Sequence, residues 1–372
     1  MEIGSVKYAR TVNADFSKTL KKRVRGYFKE NNISKNANAN MIIKTITMLS
    51  MYVIPLALLM TGVAASFWGA FACYVVMGFG IAGIGMNVMH DAIHGAYSKS
   101  KKVNTIMGYT ISLCGGFPIN WYYQHNVLHH TYTNMEGLDE DISPAPVLRF
   151  SPFKKLMNHH RLQHLFAWFF YGMMTLLWTT TKDFKSMAKY KKQGLLKSQE
   201  RSYASFMVEM VILKVFYYIV VLFLPMYFLP IPWFQTLLLY LMMHFISGVT
   251  LGMVFQPAHV VPSTDYYDEE TIKDMKTNFE VSQMLTTSDF APKSKIFSWF
   301  VGGLNFQVEH HLFPGVCHVH YKKLAKIVKE TAQEFNVPYY CEKTFLSALQ
   351  AHAKMLKDFG SHDNPAMAHH HH

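Results

Sequence analysis

The sequence is poor in charged residues, and two long stretches have none at all. Asp, Glu, Lys and Arg together make up 16% of the 372 residues, whereas soluble domains carry roughly 25%. No charged side chain occurs in 45–89 or in 215–264. Each of these stretches is about twice as long as the ~20 residues that cross a bilayer as a helix. The scarcity of charge therefore argues against a soluble domain and predicts an integral membrane protein.

Patterns that would point to several other protein classes are also missing. The four cysteines are far apart and form no CxxC pair, so we expect neither disulfide bonds nor an iron–sulfur centre in this chain. The basic residues, which give a net charge of +12, are scattered and accompany no nucleic-acid-binding module. We therefore expect no nucleic-acid partner and attribute the basic charge to membrane topology and to contact with anionic lipid headgroups.

Each uncharged stretch is broken near its middle, which predicts two helical hairpins. The first break, "MTGVAAS", contains glycine, and the second, "LPMYFLPIPW", contains three prolines. Glycine and proline are the residues that most often end helices. We therefore expect four transmembrane helices, near 45–62, 66–88, 210–229 and 233–256.

The Lys and Arg residues predict how these helices are oriented. Apart from Lys214, they fall in 1–44, in 90–208 and after Pro257. Positively charged loops tend to stay in the cytosol. We therefore expect a cytosolic N-terminal segment at 1–44, followed by a single membrane domain at 45–360 whose long loops face the cytosol.

Two shorter uncharged segments, 103–121 and 162–181, are predicted to lie along the cytosolic face of the membrane. The first contains Gly-Gly and Pro, which suit a straight span poorly. If the second were a crossing, the basic residues that follow it would move to the other side and break the positive-inside pattern. We therefore expect both segments to be interfacial or re-entrant, which leaves an even number of crossings.

Histidines form three clusters just outside the predicted spans. The chain has 20 histidines, four of them in "AMAHHHH" at 366–372, a segment typical of an expression tag. Residues four apart on a helix share a face, so an HxxxH pair can direct two imidazoles at one point. Imidazole binds iron, copper, zinc and nickel, and the even number of crossings puts all three clusters on one side. They predict a shared site for more than one metal ion, with ligands His90 and His94, His125, His129 and His130, and His310 and His311.

The order HxxxH, HxxxHH and QxxHH around two hydrophobic hairpins resembles the membrane-bound fatty acid desaturase family. The segments "MHDAIHGAYS", "HNVLHHTYTN", "GLDEDI" and "NFQVEHHLFP" are each similar to that family's motif surroundings. The resemblance implies a non-haem diiron centre, with O2 as co-substrate. It also implies an eighth histidine ligand near the end of the fourth span, where "FQPAHV" offers His259. The predicted fold class is thus an all-α integral membrane protein whose four transmembrane helices form two hairpins, with a cytosolic helical cap that holds the dimetal site.

Further residues near the boxes are expected to bind metal or to support the ligands. Metal-bound imidazoles usually donate their second N–H to a carboxylate or carbonyl, which fixes the tautomer. Gln307 stands where many relatives have another histidine, so it is either a weak ligand or a group that orients its neighbours. His244, in the middle of the fourth span, either lines a substrate channel together with Trp121 or is hydrogen-bonded within the packing. The other candidates are Gln256, Asp91, Asn126, Asp139, Asp141 and Glu309.

The reaction that the resemblance implies is the O2-dependent desaturation of a fatty acyl chain. The glutamine that opens the third box resembles the front-end (Δ5/Δ6-type) branch, which places a double bond between an existing one and the carboxyl end. The acyl group could be carried by CoA, a carrier protein or a glycerolipid. Hydroxylation by the same diiron centre stays an alternative within this class. A histidine-rich metal transporter fits less well, since transporters bind their ion near the bilayer midplane.

The predicted reaction needs electrons from a donor outside this chain. Many front-end relatives carry a cytochrome b5 domain with an HPGG haem motif, which 1–44 does not contain. We therefore expect a separate ferredoxin, rubredoxin or cytochrome b5, and the basic cytosolic surface suits an acidic carrier. The active site is expected to face the cytosol, in a bacterial inner membrane rather than the endoplasmic reticulum.

Overall fold

The computed structural model of the protein describes residues 4, 6–9, 11–144, 146–198, 200–274 and 278–361. The segment 366–372, which we interpret as a tag, lies outside these residues. Most of the described chain is helical. The α-helices are α1 Ala14–Glu30, α2 Ala39–Met60, α3 Phe67–Gly83, α4 His90–Ile93, α5 Lys101–Gly108, α6 Pro118–Trp121, α7 Gln163–Gly172, α8 Met174–Leu177, α9 Asp183–Lys192, α10 Tyr203–Tyr218, α11 Leu224–Phe228, α12 Trp233–Phe255, α13 Thr271–Asp274, α14 Phe279–Leu285, α15 Lys295–Phe300, α16 Gln307–Leu312, α17 Tyr321–Glu334 and α18 Phe345–Ser361.

Short turns of other helix types join or extend several of these α-helices. A π turn closes i→i+5 hydrogen bonds and is wider than an α turn, and it often occurs at functional sites. The π turns are Ile84–Met89, Tyr122–His129, Trp178–Lys182 and Ile219–Phe223. The 3₁₀ turns are Tyr109–Cys114, Asn158–Leu162, Leu195–Ser198, Gln256–Ala258 and His318–His320.

Among the described residues, four continuous helical stretches are long and apolar enough to cross a membrane, as predicted. The first and third begin earlier than predicted, because the helix continues N-terminally through charged residues, Lys44 in the first and Glu209 in the third. The predicted fold class is therefore confirmed. The four stretches are Ala39–Met60, Phe67–Ile93, Tyr203–Phe228 and Trp233–Ala258.

The chain divides into two compact units, each built from separate parts of the sequence. The membrane unit consists of Ala39–Tyr123 and Trp168–Gly252 and contains the four apolar helices. The histidine unit consists of Met1–Asn38, Gln124–Ala167 and Met253–His372.

Glycine allows close packing of the helices in the membrane unit. A side chain at Gly78 of α3 would lie 2.8 Å from the carbonyl oxygen of Met243 in α12, and one at Gly80 would lie 3.0 Å from the backbone of Met51 in α2. Small residues of this kind let membrane helices approach closely. Helix α3 therefore packs closely against α2, its partner in the first hairpin, and against α12 of the second hairpin.

A buried lysine connects the third apolar helix to the two short uncharged segments. Lys214 of α10 donates hydrogen bonds from Nζ to the carbonyl oxygens of Gly115 at 2.9 Å and of Trp178 at 2.6 Å. It also pairs with Asp183 Oδ2 at 2.8 Å, and both side chains are buried. Three acceptors satisfy the three N–H groups of the ammonium, so this charge is tolerated inside an apolar helix.

The core of the histidine unit lies between α1, α14, α16 and α17. A parallel pair of short strands, β1 Ser288–Phe290 and β2 Tyr340–Glu342, borders it, with Asp289 opposite Cys341. This small sheet is the one addition to the predicted all-α architecture in the described residues. The buried core residues include Phe16, Leu20, Val24, Val281, Met284, Leu285, Phe306, Val308, Leu312, Tyr321, Leu324, Val328 and Ala332.

Candidate metal centre

Six of the eight predicted histidine ligands converge in the histidine unit. The second box, the third box and the histidine after the fourth apolar helix all contribute to this cluster. Each of the six residues is buried, with at most 6% of its surface exposed. The six are His125, His129, His130, His259, His310 and His311.

The second box brings its three histidines together because it folds as a π turn. The backbone N–H of His130 donates to the carbonyl oxygen of His125 at 3.0 Å, a bond between residues five apart. In an α-helix only residues three or four apart would share a face. The wider turn lets positions i, i+4 and i+5 point the same way, so the ring centres of His129 and His130 lie 5.2 Å and 4.7 Å from that of His125.

Three histidines from distant parts of the sequence form a nearly regular triangle. The ring centres are 4.7 Å apart for His129 and His259, 4.9 Å for His129 and His311, and 4.8 Å for His259 and His311. One nitrogen from each lies within 4.8 Å of the others, close enough for one ion.

A second group forms around the Nε2 atoms of three further rings. His130 Nε2 lies 2.9 Å from His310 Nε2 and 3.2 Å from His125 Nε2, and the last two are 3.4 Å apart. The His130 and His311 rings stack with their centres 4.3 Å apart, so this group borders the triangle. The histidine unit thus has two adjacent places where imidazole nitrogens converge.

Hydrogen bonds hold four of these rings by their other nitrogen, Nδ1. His129 Nδ1 lies 3.1 Å from both carboxylate oxygens of Asp139, and His311 Nδ1 lies 2.8 Å from Gln283 Oε1. His259 Nδ1 lies 3.2 Å from the carbonyl oxygen of Thr286. For His310, Nδ1 lies 3.1 Å from the hydroxyl of Tyr321. Outer partners of this kind orient metal-binding histidines and fix their tautomer.

These contacts fit the binding of a cation. A carboxylate, an amide oxygen and a backbone carbonyl can only accept, so Nδ1 carries the hydrogen in His129, His311 and His259. When such a ring is neutral, its Nε2 carries a lone pair that can bind a metal ion. His129 offers this lone pair once a metal ion displaces its second proton. An all-imidazole set suits iron, copper, zinc or nickel and gives no hard oxygen cage for calcium or magnesium.

The electrostatics also favour a positive ion here. Burial disfavours charge on His129, but the carboxylates of Asp139 and Asp141 outweigh it and raise the pKa of His129 to about 9. For His259, burial and the nearby His129 lower the pKa to about 3, so this ring is neutral. Burial alone would raise the pKa of Asp141, yet His129 and His125 hold it below its ordinary value. A metal ion can take the place of the proton that these carboxylates attract.

The first box lies in the membrane unit, directly after the π turn Ile84–Met89. The rings of His90 and His94 have their centres 4.8 Å apart. Trp121 packs edge-on against both, with its ring centre 5.4 Å from His90 and 5.8 Å from His94. Asp91 Oδ1 lies 3.7 Å from His90 Nδ1, and both residues are buried. The HxxxH spacing thus aligns the two imidazoles, and Trp121 covers them.

Two polar residues of the third box, Glu309 and Gln307, are buried. The hydroxyl of Tyr339 lies between two carboxyl groups, 2.5 Å from Asp289 Oδ2 and 3.2 Å from Glu309 Oε1. Burial raises the pKa of Asp289 to about 6, and burial together with Asp289 raises that of Glu309 well above its ordinary value. Gln307 is buried at the start of α16, and its Nε2 has no hydrogen-bond partner among the residues that the structure describes.

The other residues that the sequence suggested as candidates lie at different places in the two units. Asn126 is half-buried in the π turn of the second box, and Asp141 lies 3.5 Å from His129 and 3.9 Å from His125. Gln256 is half-buried, and its carbonyl oxygen accepts the N–H of His259 at 3.1 Å. His244 is buried in the membrane unit.

Sequence reasoning missed the residues that hold the rings from outside the boxes. Gln283 in α14 and Tyr321 at the start of α17 each contact a candidate ligand. Thr286 contributes only a backbone oxygen, so its side chain carries no signal. Gln283 has no fixed spacing to any box, and no sequence pattern that we considered would have identified it.

Comparison with known proteins gives a family for this site. Residues 65–343 match the family model described as "Fatty acid desaturase". The chain is 34% identical over 342 residues to sn-1 linoleoyl-lipid 6-desaturase of Arthrospira platensis, covering 92% of each chain. It is 35% identical over 368 residues to acyl-lipid (8-3)-desaturase of Physcomitrium patens, covering 96% of this chain and 74% of that one. A sn-1 linoleoyl-lipid 6-desaturase of Synechocystis is 30% identical over 354 residues, covering 94% and 97%.

This chain belongs to the fatty acid desaturase family. The predicted family and the predicted enzyme class, an oxidoreductase that desaturates fatty acyl chains, are confirmed. Together with the four apolar helices, the family indicates a membrane protein, and the histidine cluster is consistent with metal binding.

Proposed function

We propose that the protein is a diiron, O2-dependent acyl-lipid desaturase of the front-end type. The observation that carries the proposal is the buried cluster of six histidines, four of them held by Nδ1. A relative that is 34% identical is a linoleoyl-lipid 6-desaturase, which supports a glycerolipid-bound polyunsaturated acyl chain as the substrate. The new cis double bond would lie on the carboxyl side of an existing one.

The eight histidines are proposed to hold two iron ions between them. His90 and His94 of the membrane unit would complete the set that the six histidines of the other unit begin. When bound, the iron centre would supply the oxidising chemistry that removes hydrogen from an unactivated methylene pair. Gln307 would orient its neighbours or bind weakly. Trp121 is proposed to line the path of the acyl chain. His244, whose two ring nitrogens contact Tyr217 and Thr175, is proposed to serve in packing.

The proposed reaction balances when an external donor supplies two electrons. A CH2–CH2 unit gives up two hydrogens with two electrons, a donor supplies two more electrons, and the medium supplies two protons, so that O2 leaves as two waters. A ferredoxin, a rubredoxin or a cytochrome b5 would be the donor. The histidine cluster would face the cytosol, and the membrane would be a bacterial inner membrane.

Lipid analysis of cells that express the full chain and are fed linoleate tests this proposal. Mass spectrometry of the double-bond derivatives should show a new double bond on the carboxyl side, and a His129→Ala/His130→Ala control should not make it. The purified protein should contain two irons per chain. A hydroxylated product would overturn desaturation, and purified protein without iron would overturn the diiron assignment.

A further inference from the structure

We infer that one end of the histidine unit, where α1 finishes and α17 begins, is the docking surface for an acidic protein that carries one electron at a time. We call this surface the basic end. The inference rests on the proposed function, because the donor is needed only for that reaction. The basic end is defined by six exposed residues, Arg25, Lys29, Lys35, Lys322, Lys323 and Lys326.

The packing of α1 against α17 brings these residues together. The ring of Phe28 lies 5.2 Å from that of His320, just before α17 begins, and the ring of Phe16 lies 6.0 Å from that of Phe335, just after it ends. The two helices therefore run antiparallel. The C-terminal turns of α1 and the N-terminal turn of α17 lie at the same end of the pair. Lys35 lies there too, since its carbonyl oxygen accepts the N–H of Cys317 at 2.9 Å.

The exposed faces of the two helices carry this charge because their other faces are buried. Leu20 and Val24 of α1 and Leu324 and Val328 of α17 belong to the same core. At the basic end, Glu30 is the exposed acidic residue of α1, and the nearest acid on α17 is Glu330, 3.8 Å from Lys326. A surface of one sign raises the association rate of a partner of the opposite sign.

The opposite end of the same helix pair is mixed in charge. There Lys21 pairs with Glu280, and Arg23 pairs with Glu334 at 2.5 Å. Lys18 lies 3.9 Å from Asp15. Lys22 of α1 and Lys329 of α17 are also exposed in this part of the pair. Acidic residues thus offset more of the positive charge here than at the basic end, and the far end offers a matched control.

A single side chain links the basic end to a proposed iron ligand. Tyr321, the first residue of α17, is 1% exposed, and its hydroxyl lies 3.1 Å from His310 Nδ1. The next two residues are Lys322 and Lys323. Tyr321 therefore joins the helix that carries Lys322 and Lys323 to the ligand through one residue. This link favours an electron carrier over a lipid headgroup, which needs no route to the metal site.

Two docking events complete the balance of the proposed reaction. Each reduced carrier would give one electron and leave oxidised. Two carriers would thus supply the two electrons that the substrate does not provide. The residues of the basic end bind the carrier and are neither oxidised nor reduced.

Binding of a purified plant-type ferredoxin, an acidic iron–sulfur protein, to the full-length, iron-loaded enzyme in detergent tests the inference. In Lys322→Glu/Lys323→Glu the Kd should rise about tenfold at low salt, because a rim charge governs encounter and its salt dependence. The far-end variant Lys18→Glu/Lys22→Glu, which makes the same change in net charge, should stay within about twofold. The KM for ferredoxin should follow the Kd. Thermal unfolding confirms that both variants are folded.

Three outcomes would overturn the inference or separate it from the proposed function. Equal loss of binding in both variants would indicate a general effect of net charge and overturn the docking site. An unchanged Kd, with the basic-end variant losing its preference for nanodiscs of phosphatidylglycerol over phosphatidylcholine, would assign the surface to lipid instead. Wild-type desaturation driven by dithionite and a soluble mediator tests the proposed function alone. If that reaction works while the Kd is unchanged, only the docking inference fails.

Discussion

A buried histidine of the membrane unit and one of the histidine unit are held in different ways. In the membrane unit, His244 has both ring nitrogens in hydrogen bonds, Nε2 with the hydroxyl of Tyr217 at 2.6 Å and Nδ1 with Thr175 Oγ1 at 3.1 Å. In the histidine unit, His129 has Nδ1 held by Asp139, while its ring borders those of His259 and His311. Burial alone therefore does not distinguish a metal ligand from a packed histidine. The distinction lies in the second ring nitrogen, which contacts a protein hydroxyl in His244 and faces other imidazoles in His129.

The two units also differ in how they compensate buried charge. Lys214 is enclosed by two carbonyl oxygens and one carboxylate, so its three donors are used within the unit. Asp139 accepts from backbone N–H groups and from His129, and it thereby makes the neighbouring cluster attractive to a cation. The first arrangement fixes the packing of helices, and the second prepares a place for an ion.

The largest expected effect is the loss of activity and iron when His129 is removed, compared with the removal of His244. His129→Ala should lower activity to background and lower the iron content below two per chain, because loss of a ligand should cost more than the ~10–100-fold in metal affinity that an outer partner is worth. His244→Phe should retain the iron, because His244 already has two partners in the protein. Elemental analysis of purified protein measures both. Equal loss of iron in the two variants would contradict the comparison.

Breaking the buried ion pair of the membrane unit should destabilise the protein without affecting the metal. Lys214→Met leaves Asp183 buried with no cation, which typically costs about 3–5 kcal/mol. Lys192→Met, an exposed change on α9, should stay within about 0.5 kcal/mol. Unfolding by denaturant in mixed micelles measures the difference. An Lys214→Met protein of normal stability would show that Lys214 contributes little to the packing.

The features predicted from sequence are those that repeat at fixed spacing. Uncharged stretches and HxxxH pairs are local patterns, so the four apolar helices and the three boxes could be found without a structure. The sequence did not reveal that "HNVLHH" folds as a π turn, because the pattern i, i+4 fits both helix types. It also did not reveal the acceptors of Lys214, since Gly115 lies 99 residues away and is contacted through its backbone.

Removing an outer partner should weaken metal binding without abolishing it. Gln283→Leu takes away the acceptor 2.8 Å from His311 Nδ1, and such losses lower metal affinity about 10–100-fold. Gln283→Glu keeps an acceptor oxygen and should recover most of the affinity. Gln333→Leu, an exposed change in α17, serves as the control. Competition with a chelator gives the affinities, and a Gln283→Glu protein as weak as Gln283→Leu would contradict the role assigned to the acceptor.

The smallest effect is expected at Glu309, although it precedes a proposed ligand directly. Its carboxyl group contacts Tyr339 rather than an imidazole, and an amide oxygen in Glu309→Gln can accept the same hydrogen bond. We therefore expect an unchanged iron content and a change in stability within about 0.5 kcal/mol. Glu309→Ala, which removes the more distant of the two carboxyl groups that Tyr339 contacts, should cost about 1 kcal/mol more. A loss of iron in Glu309→Gln would mean that the carboxylate reaches the metal, and the division between ligands and packing residues drawn for the third box would be wrong.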